Sequence, residues 1–346
     1  MFDFDKNILT GYIKKLSEGE NLSYEEAKDA MDAVLDGGAT PTQISGYLMA
    51  LRMKGETIDE ISGSAAMMNS KAVGITPDVD DYVDCVGTGG DGTNTFNIST
   101  TAAFVIAGAG AKTAKHGNRA VSSKCGSADV LEGLGVNIMI QPEQVKECVE
   151  KIGIGFMFAR TMHPCMKTVS GVRSELKIRT IFNILGPLSN PSNAKHQVIG
   201  VFSEDLTHPI ANAMKNLGVT AGMAVCGIDN GMDELSIIGK TKISEVKDGK
   251  VIDYYLSPED AGLSVAPENE IKGGTVEENV KITLDILNGE KGARRDIVVL
   301  NAGAAIYTTG IADTIEGGVR LAEEAIDSGK ALEKLNQLRD MTNSYN

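Results

Sequence analysis

The sequence predicts a small all-helical domain and a larger α/β domain with a mostly parallel central sheet. Roughly the first seventy residues carry only helix signals. From Val83 onwards, short runs of β-forming residues alternate with helical stretches, which is typical of a parallel α/β sheet. The chain has 346 residues, enough for two compact units of about 100–200 residues each.

Capping residues mark the helix starts in the first part of the chain. A Ser or Thr side chain accepts a hydrogen bond from the backbone three residues later, and a Glu at that position can reciprocate. Proline favours the first helical position. These signals predict three helices, which begin at Ser23, Thr40 and Thr57 and end near Leu35, Gly55 and Gly74.

The α/β part is predicted to contain strands at 83–86, 112–114, 155–158, 197–202 and 222–227, a hairpin of 242–246 with 251–255, and a late strand at 297–300. Helices are predicted at 100–109, at 128–133 after Ser127, at 142–152 and in a charged tail at 314–338. A helical return segment opens at His163 and ends in a proline-rich turn at 186–191. We expect it to pack on the first helices. The helical domain is then 1–74 with 164–190, and the α/β domain is 75–163 with 191–346.

Charge and cysteine usage narrow the function classes. A net charge of −14 argues against a general nucleic-acid or acidic-membrane binder, because such proteins present basic surface. The five cysteines form no C-x-x-C pair, so neither a zinc site nor a disulfide framework is indicated. The N-terminus shows no signal-peptide pattern, and the longest apolar run, residues 102–111, is too short to span a bilayer. We expect a cytoplasmic protein with reduced thiols.

The chain is organised around residues 82–101. There, β-forming residues lead into four glycines within six positions, and then into Asn97, Ser99 and Thr100. We interpret this stretch as strand, turn and helix start. Glycines let a ligand approach the backbone, and a helix N-terminus with free N–H groups binds anions. The stretch therefore favours a phosphate-bearing small molecule.

Two known phosphate motifs do not fit this stretch. Gly87, Gly89 and Gly92 match the spacing of the dinucleotide fingerprint. That fingerprint needs an acidic residue about twenty positions later, where this chain has the basic residues 111–117. The P-loop needs a lysine and a hydroxyl residue after the glycines, and none follows. A purely structural glycine turn stays open as an alternative.

Three further groups point to the same chemistry. A basic stretch beside the glycine loop can hold phosphate; it consists of Lys112, Lys115, His116, Arg119 and Lys124. Two adjacent carboxylates suit Mg²⁺ beside phosphates, and a serine hydroxyl can join them; these are Asp233, Glu234 and Ser99. Arg173 could grip a carboxylate across a cleft. Taken singly, each has a simpler explanation as a surface feature, but together they indicate a phosphorylated sugar, magnesium and a second, carboxylate-bearing substrate.

In combination, these motifs resemble the anthranilate phosphoribosyltransferase family of tryptophan biosynthesis over nearly the whole chain. The resemblance is carried by residues 87–91, 97–100, 115–123, 126–129, Arg173, 179–183, 186–191, Asp233 and Glu234. Lys177 and Ser189 depart from the usual family residues, glycine and threonine, away from the expected ligand contacts. The related pyrimidine nucleoside phosphorylases are similar in architecture but differ at residues 115–118.

The resemblance implies a nucleoside phosphorylase/phosphoribosyltransferase-like fold. It also implies an enzyme that transfers the phosphoribosyl group of 5-phosphoribosyl 1-diphosphate (PRPP) to the amine of anthranilate. The implied PRPP-binding residues are Gly87, Gly90, Asp91, Thr95, Asn97, Ile98, Ser99, Thr100, Lys115, His116, Gly117, Asn118, Arg119, Ala120, Val121, Ser122, Ser123 and Ser127. Anthranilate would meet Gly87, Asn118 and Arg173. Mg²⁺, two ions per site, would be held by Ser99, Asp233 and Glu234. A homodimer through the helical domain is also implied.

The expected chemistry is a direct displacement without a covalent enzyme intermediate. An aniline nitrogen is neutral at pH 7, so the protein mainly has to orient the amine and stabilise charge on the departing pyrophosphate. His116 is a candidate proton acceptor, with a structural role as the alternative. Two rival functions stay open: a nucleoside phosphorylase that uses inorganic phosphate, and a family member that has lost catalysis and binds nucleic acid.

Overall fold

The computed structural model describes residues 8–120 and 124–345. Four helices come first: α1 (Ile8–Ser17), α2 (Tyr24–Leu35), α3 (Pro41–Lys54) and α4 (Ile58–Ser70). The side chains that precede the last three accept hydrogen bonds of 3.3 Å from the backbone three residues later. The helix starts predicted at Ser23, Thr40 and Thr57 are therefore confirmed.

A seven-stranded sheet of order β3-β2-β1-β4-β5-β6-β7 forms the larger unit. Its strands are β1 (Tyr82–Gly87), β2 (Lys112–Gly117), β3 (Ile154–Phe158), β4 (His196–Gly200), β5 (Ala221–Gly227), β6 (Thr241–Lys247) and β7 (Lys250–Leu256). Strands β1 to β5 pair in parallel, whereas β6 runs antiparallel to both β5 and β7. The predicted parallel sheet and hairpin are both confirmed.

Eleven further α-helices occur in the described residues. They are α5 (Ile98–Gly108), α6 (Ser127–Gly133), α7 (Pro142–Ile152), α8 (Ala159–Met162), α9 (Lys167–Leu176), α10 (Phe182–Leu188), α11 (Thr207–Asn216), α12 (Val276–Leu287), α13 (Ala293–Thr308), α14 (Ile315–Asp327) and α15 (Lys330–Asn343). Within the described ranges, no helix combines the length and apolarity that crossing a membrane requires.

Two apolar clusters cover the two faces of the sheet. One packs the sheet against α5 and α13 and includes Val198 and Met223. The other includes Ile199 and Ala224 and continues through α11 to α1–α4, α9 and α10. Neighbouring strand residues thus face opposite clusters, as the two-residue period of a strand requires. The return helices share their cluster with the first four helices, while the residue boundaries given above for the two domains stay a prediction.

Some local predictions are wrong. Residues 297–300 lie in helix α13, not in a strand; all four are at most 1% exposed. A short, fully buried apolar run has no periodicity that separates the two structures. The turn predicted at 186–191 is partly helical, because Pro187 lies inside α10. Helix α12 was not predicted, although Thr275 and Glu278 form a capping box at its start.

The end of β2 also differs from the prediction. The strand continues three residues past the expected end and closes at Gly117. Lys115 and His116 therefore project from a strand rather than from a loop. Ser127 is the first residue of α6 and does not cap it; the cap position is Gly126. These shifts decide where the basic residues lie in the site.

Candidate active site

The sheet reverses its strand order between β1 and β4. In open α/β sheets, ligands bind outside the carboxyl ends of the strands at such a switch point. Gly87 and Gly200 pair here as the last residues of the two strands. A Cβ on Gly87 would lie 2.8 Å from Asp233 Cγ, and one on Gly200 would overlap the backbone carbonyl of Asp233. Both glycines are needed because the acidic loop presses against the sheet at this point.

The glycine loop that follows β1 is fastened to the same acidic residue. The N–H of Gly89 donates to Asp233 Oδ2 at 2.6 Å. Gly89, Gly90 and Gly92 have φ of 69°, 69° and 82°, a region that glycine adopts readily and other residues avoid. Asp91 accepts a hydrogen bond of 2.6 Å from the Thr93 hydroxyl. The turn predicted from the glycines is confirmed.

Three predicted ligand residues meet at the start of α5. Glu234 Oε1 accepts from the Ser99 N–H at 3.2 Å. The hydroxyl of Ser99 accepts from Lys115 Nζ at 3.3 Å. Lys115 is only 3% exposed and also donates to the carbonyl of Cys85. The structure thus brings a buried ammonium, a hydroxyl and a carboxylate together at the switch point.

The carboxylates here are electrostatically strained. Burial raises the pKa of Glu234 to about 7, partly offset by Lys115. Burial, with Asp91 and Glu234 as neighbours, raises the pKa of Asp233 well above its usual range. A bound cation would relieve this repulsion, and the oxygen-only donors match the ligand preference of Mg²⁺. In residues 8–120 and 124–345, however, no three His, Cys, Asp or Glu side chains could hold a metal ion by themselves.

The five residues of the basic stretch do not form one cluster in the structure. Lys112 begins β2, about 16 Å from the carboxyl end of that strand at about 3.3 Å per residue. Arg119 pairs with Asp129 at 3.0 Å and with Glu132, so its guanidinium is already occupied. Lys124 is exposed. Of the five basic residues, Lys115 is the one in contact with Ser99.

His116 lies in the core with both ring nitrogens engaged. Nδ1 is 2.6 Å from Asp84 Oδ2, and Nε2 is 2.9 Å from the carbonyl of Gly186. A carbonyl only accepts, so Nε2 carries a hydrogen. Burial opposes ionisation of Asp84, yet His116 and Lys115 hold the pKa of Asp84 below its usual range. Both ring nitrogens already have partners within the protein, which favours the structural role over the proton acceptor.

The segment after β2 folds back on the start of α6. The carbonyl of Asn118 accepts from the Ser127 hydroxyl at 3.1 Å, and a Cβ on Gly117 would lie 3.0 Å from Ser127 Cβ. Asp129 accepts from the Ala120 N–H at 2.9 Å. The predicted contacts of Val121, Ser122 and Ser123 fall outside the described residues.

The remaining predicted PRPP residues surround the first turn of α5. Ile98 and Thr100 are 1% and 2% exposed, and the N–H of Ile98 donates to the carbonyl of Phe96 at 2.8 Å, so neither residue offers an exposed side chain to a ligand. The Asn97 amide donates to the carbonyl of Cys125 at 3.2 Å. Thr95 forms a backbone bridge with Lys272. Through these contacts, Asn97 and Thr95 stabilise the segment that leads into α5.

Arg173 lies in the last turn of α9, with its guanidinium 5.3 Å from the ring centroid of Phe182. Burial alone lowers its pKa below the usual range, and in the part of the chain that the structure describes no carboxylate forms an ion pair with it. A partly buried arginine without a carboxylate partner suits a substrate carboxylate, which it can bind with two parallel hydrogen bonds.

Two residues, one in contact with the glycine loop and one at the start of the return segment, were not predicted as site residues from the sequence. Arg179 stacks on Phe202, 4.0 Å from the ring centroid, and donates to the carbonyl of Gly90. It lies in a stretch that carries the family resemblance, which was the available signal. His163 is 5% exposed and its Nε2 is 2.9 Å from the carbonyl of Ser189. Burial lowers its pKa to about 4, and the sequence marked His163 only as the start of the return segment.

Comparison with known proteins agrees with this geometry. Residues 10–72 match the glycosyl transferase family, helical bundle domain, and residues 79–332 match the glycosyl transferase family, a/b domain. The chain is 57% identical to the anthranilate phosphoribosyltransferase of Acetivibrio thermocellus over 98% of both chains.

Solved structures agree as well. The anthranilate phosphoribosyltransferase of Thermus thermophilus superposes with a TM-score of 0.91 at 43% identity, covering 96% of this chain and 99% of that one. The Saccharomyces cerevisiae enzyme in complex with PRPP and Mg gives 0.88 at 29% identity over 97% and 98%. Its complex with 4-fluoroanthranilate gives 0.88 at 28% identity over 98% and 99%. The chain therefore belongs to the anthranilate phosphoribosyltransferase family, an enzyme family of the glycosyltransferases.

Proposed function

We propose that the chain transfers the 5-phosphoribosyl group from PRPP to the amine of anthranilate, giving N-(5-phosphoribosyl)anthranilate and pyrophosphate in tryptophan biosynthesis. The observation that carries the proposal is the meeting of Ser99, Lys115, Asp233 and Glu234 at the switch point. A buried ammonium next to carboxylates suits a metal-bound diphosphate. The yeast relative, solved with PRPP and Mg, supports this choice of donor.

The donor is placed along the glycine loop and the start of α5. There the backbone of residues 87–92 can approach the phosphates closely. Lys115 supplies a fixed positive charge to the diphosphate. Asp233, Glu234 and Ser99 would hold Mg²⁺, whose other ligands come from phosphate oxygens and water, as is usual for this ion. When bound, the ion supplies charge stabilisation to the leaving pyrophosphate. We assign two ions per site.

The acceptor is placed between Arg173, Gly87 and Asn118. Arg173 binds the anthranilate carboxylate and thereby orients the neutral amine towards the sugar. No enzyme nucleophile is needed, because the amine attacks the ribose carbon directly, the carbon–oxygen bond to pyrophosphate breaks, and the proton of the amine passes to the departing pyrophosphate or to water. The structure of the yeast relative with 4-fluoroanthranilate supports this class of acceptor. A homodimer through the helical domain and a cytoplasmic location belong to the same proposal.

Loss of anthranilate fluorescence tests the reaction. The protein is mixed with anthranilate, PRPP and Mg²⁺, and matched samples omit PRPP or contain EDTA. We expect a decay that needs both PRPP and Mg²⁺ and releases pyrophosphate in equal amount. If no decay occurs, and a pyrimidine nucleoside is instead consumed with inorganic phosphate, the nucleoside phosphorylase alternative replaces this proposal.

A further inference from the structure

Arg179 joins two parts of the site that are far apart in the sequence. It lies in the connection between α9 and α10, residues 177–181. Its guanidinium stacks on Phe202, two residues past the end of β4, at 4.0 Å. The same group donates to the carbonyl of Gly90 in the glycine loop. One side chain thus connects the α9–α10 connection both to the residues that follow β4 and to the loop proposed to hold PRPP.

The same connection is attached to Arg173 at both ends. The carbonyl of Arg173 accepts from the Lys177 N–H at 3.3 Å, and its guanidinium lies over the ring of Phe182. Lys177 has a φ of 51°, a left-handed cap that ends α9 and reverses the chain. Arg179 is therefore two residues from one contact of Arg173 and three from the other. A displacement of Arg173 can therefore reach the carbonyl of Gly90 through these few residues.

We propose that Arg179 is a positioning residue that couples acceptor binding at Arg173 to the conformation of the PRPP loop. The inference rests on the proposed function, since it names anthranilate and the diphosphate donor as the two ligands. Gly90 has no Cβ and a φ of 69°, and a glycine peptide can adopt more orientations than that of any other residue. The bond from Arg179 selects one of them, and the stack on Phe202 fixes the guanidinium plane. Each substrate then raises the affinity for the other by the same factor, as linkage demands.

The glycine loop has a further attachment, at Thr93, that provides a matched control. Lys272 Nζ donates to the carbonyl of Thr93 at 2.7 Å. Lys272 belongs to the segment between β7 and α12 and also donates to Glu268 of that segment at 2.6 Å, so it holds the loop from the side of the α/β unit. Loosening the loop through Lys272 should weaken donor binding without removing the link to Arg173.

The test measures anthranilate affinity by fluorescence titration, with and without saturating Mg²⁺–pyrophosphate, an unreactive probe of the donor side. In the wild type we expect pyrophosphate to tighten anthranilate binding by about 5–150-fold, the usual range of coupling between sites. In Arg179→Gln this factor should fall to near one, with anthranilate affinity alone and the melting temperature little changed. In Lys272→Gln pyrophosphate binding should weaken while the factor persists.

Phe202→Leu is the second variant, because it removes the stacking face but keeps Arg179, and it should lower the factor without abolishing it. A coupling factor in Arg179→Gln equal to that of the wild type would overturn the inference, and so would equal losses in Arg179→Gln and Lys272→Gln. A wild type that turns over PRPP and anthranilate but shows no coupling would overturn the inference alone. A wild type that binds neither ligand would overturn the proposed function itself.

Discussion

The backbone N–H of Gly89 donates to Asp233 Oδ2 at 2.6 Å, although the two residues are 144 positions apart. This bond fastens the glycine loop after β1 to the acidic loop after β5. Both loops belong to the carboxyl edge of the sheet, where the strand order reverses. The proposed PRPP site therefore depends on a contact between these two loops. The neighbouring Gly87 allows the close packing of the two loops to be tested.

Gly87→Ala should inactivate the enzyme while leaving it folded. The added methyl group would lie 2.8 Å from Asp233 Cγ, so the acidic loop must move away from the donor site. Overpacking of this kind costs about 1–3 kcal/mol of stability, and we expect at least about a hundredfold loss of kcat/KM for PRPP from the displaced ligand set. Gly11→Ala in α1 is the control, because no atom lies within 4 Å of the added Cβ. Near-normal turnover by Gly87→Ala would show that Asp233 is not needed at this position.

Arg173→Gln should weaken the binding of the acceptor, anthranilate, and not that of the donor. Loss of a bidentate contact to a carboxylate removes about 2–4 kcal/mol of binding, on the order of a thirtyfold to several-hundredfold rise in KM for anthranilate. The KM for PRPP should change little. Initial rates at varied concentrations of each substrate give both constants, and Lys167→Gln on the exposed side of the same helix is the control. A rise in the PRPP constant instead would place Arg173 on the donor side.

His116→Ala should destabilise the protein by about 3–5 kcal/mol, because it leaves Asp84 buried without its partner. The double variant His116→Gln with Asp84→Asn replaces both partners with neutral amide side chains and should recover much of that loss in urea unfolding. Its kcat at saturating substrates should stay within a few-fold of the wild type. If the double variant is stable but its kcat falls by orders of magnitude, His116 is the proton acceptor after all.

Mg²⁺ should stabilise the protein more at pH 8 than at pH 6. The pKa of Glu234 in the folded protein is raised to about 7, above its unfolded value. Between those values the folded state binds more protons than the unfolded state, so stability without metal falls as pH rises through this window. Mg²⁺ competes with the bound proton below pH 7 and relieves carboxylate repulsion above it. Thermal melts at both pH values with and without Mg²⁺ measure the difference, which should shrink in Glu234→Gln and persist in part, because the pKa of Asp233 is raised as well.

The sequence predicted correctly those features that depend on residues close together in the chain. The capping boxes at Ser23 and Thr57 involve residues three apart, and both helices begin where the sequence indicates. The buried run at 297–300 was mistaken for a strand, because a segment buried on all sides loses its periodicity. Lys115 was predicted to be part of the site, but its contact with Ser99 depends on β2 reaching Gly117.

Contacts between residues far apart in the chain could not be predicted from the sequence. Nothing in the order of residues connects Arg179 to Gly90, or His116 to Gly186, since these contacts arise only when the return helices pack against the sheet. The sequence could name chemically suitable residues, and the resemblance could rank them. It could not show that Arg119 is occupied by Asp129 and Glu132 while Arg173 lies without a carboxylate partner in the described chain.

The most direct test of the central claim is PRPP binding by calorimetry, with and without Mg²⁺, to the wild type and to the double variant Asp233→Asn with Glu234→Gln. We expect PRPP to bind the wild type tightly only with Mg²⁺. The double variant should lose at least about a hundredfold in affinity, equivalent to roughly 2.7 kcal/mol, and its remaining binding should no longer respond to Mg²⁺. Equal, Mg²⁺-dependent affinities in both proteins would contradict the account, because the metal-bound diphosphate would then lie away from Asp233 and Glu234.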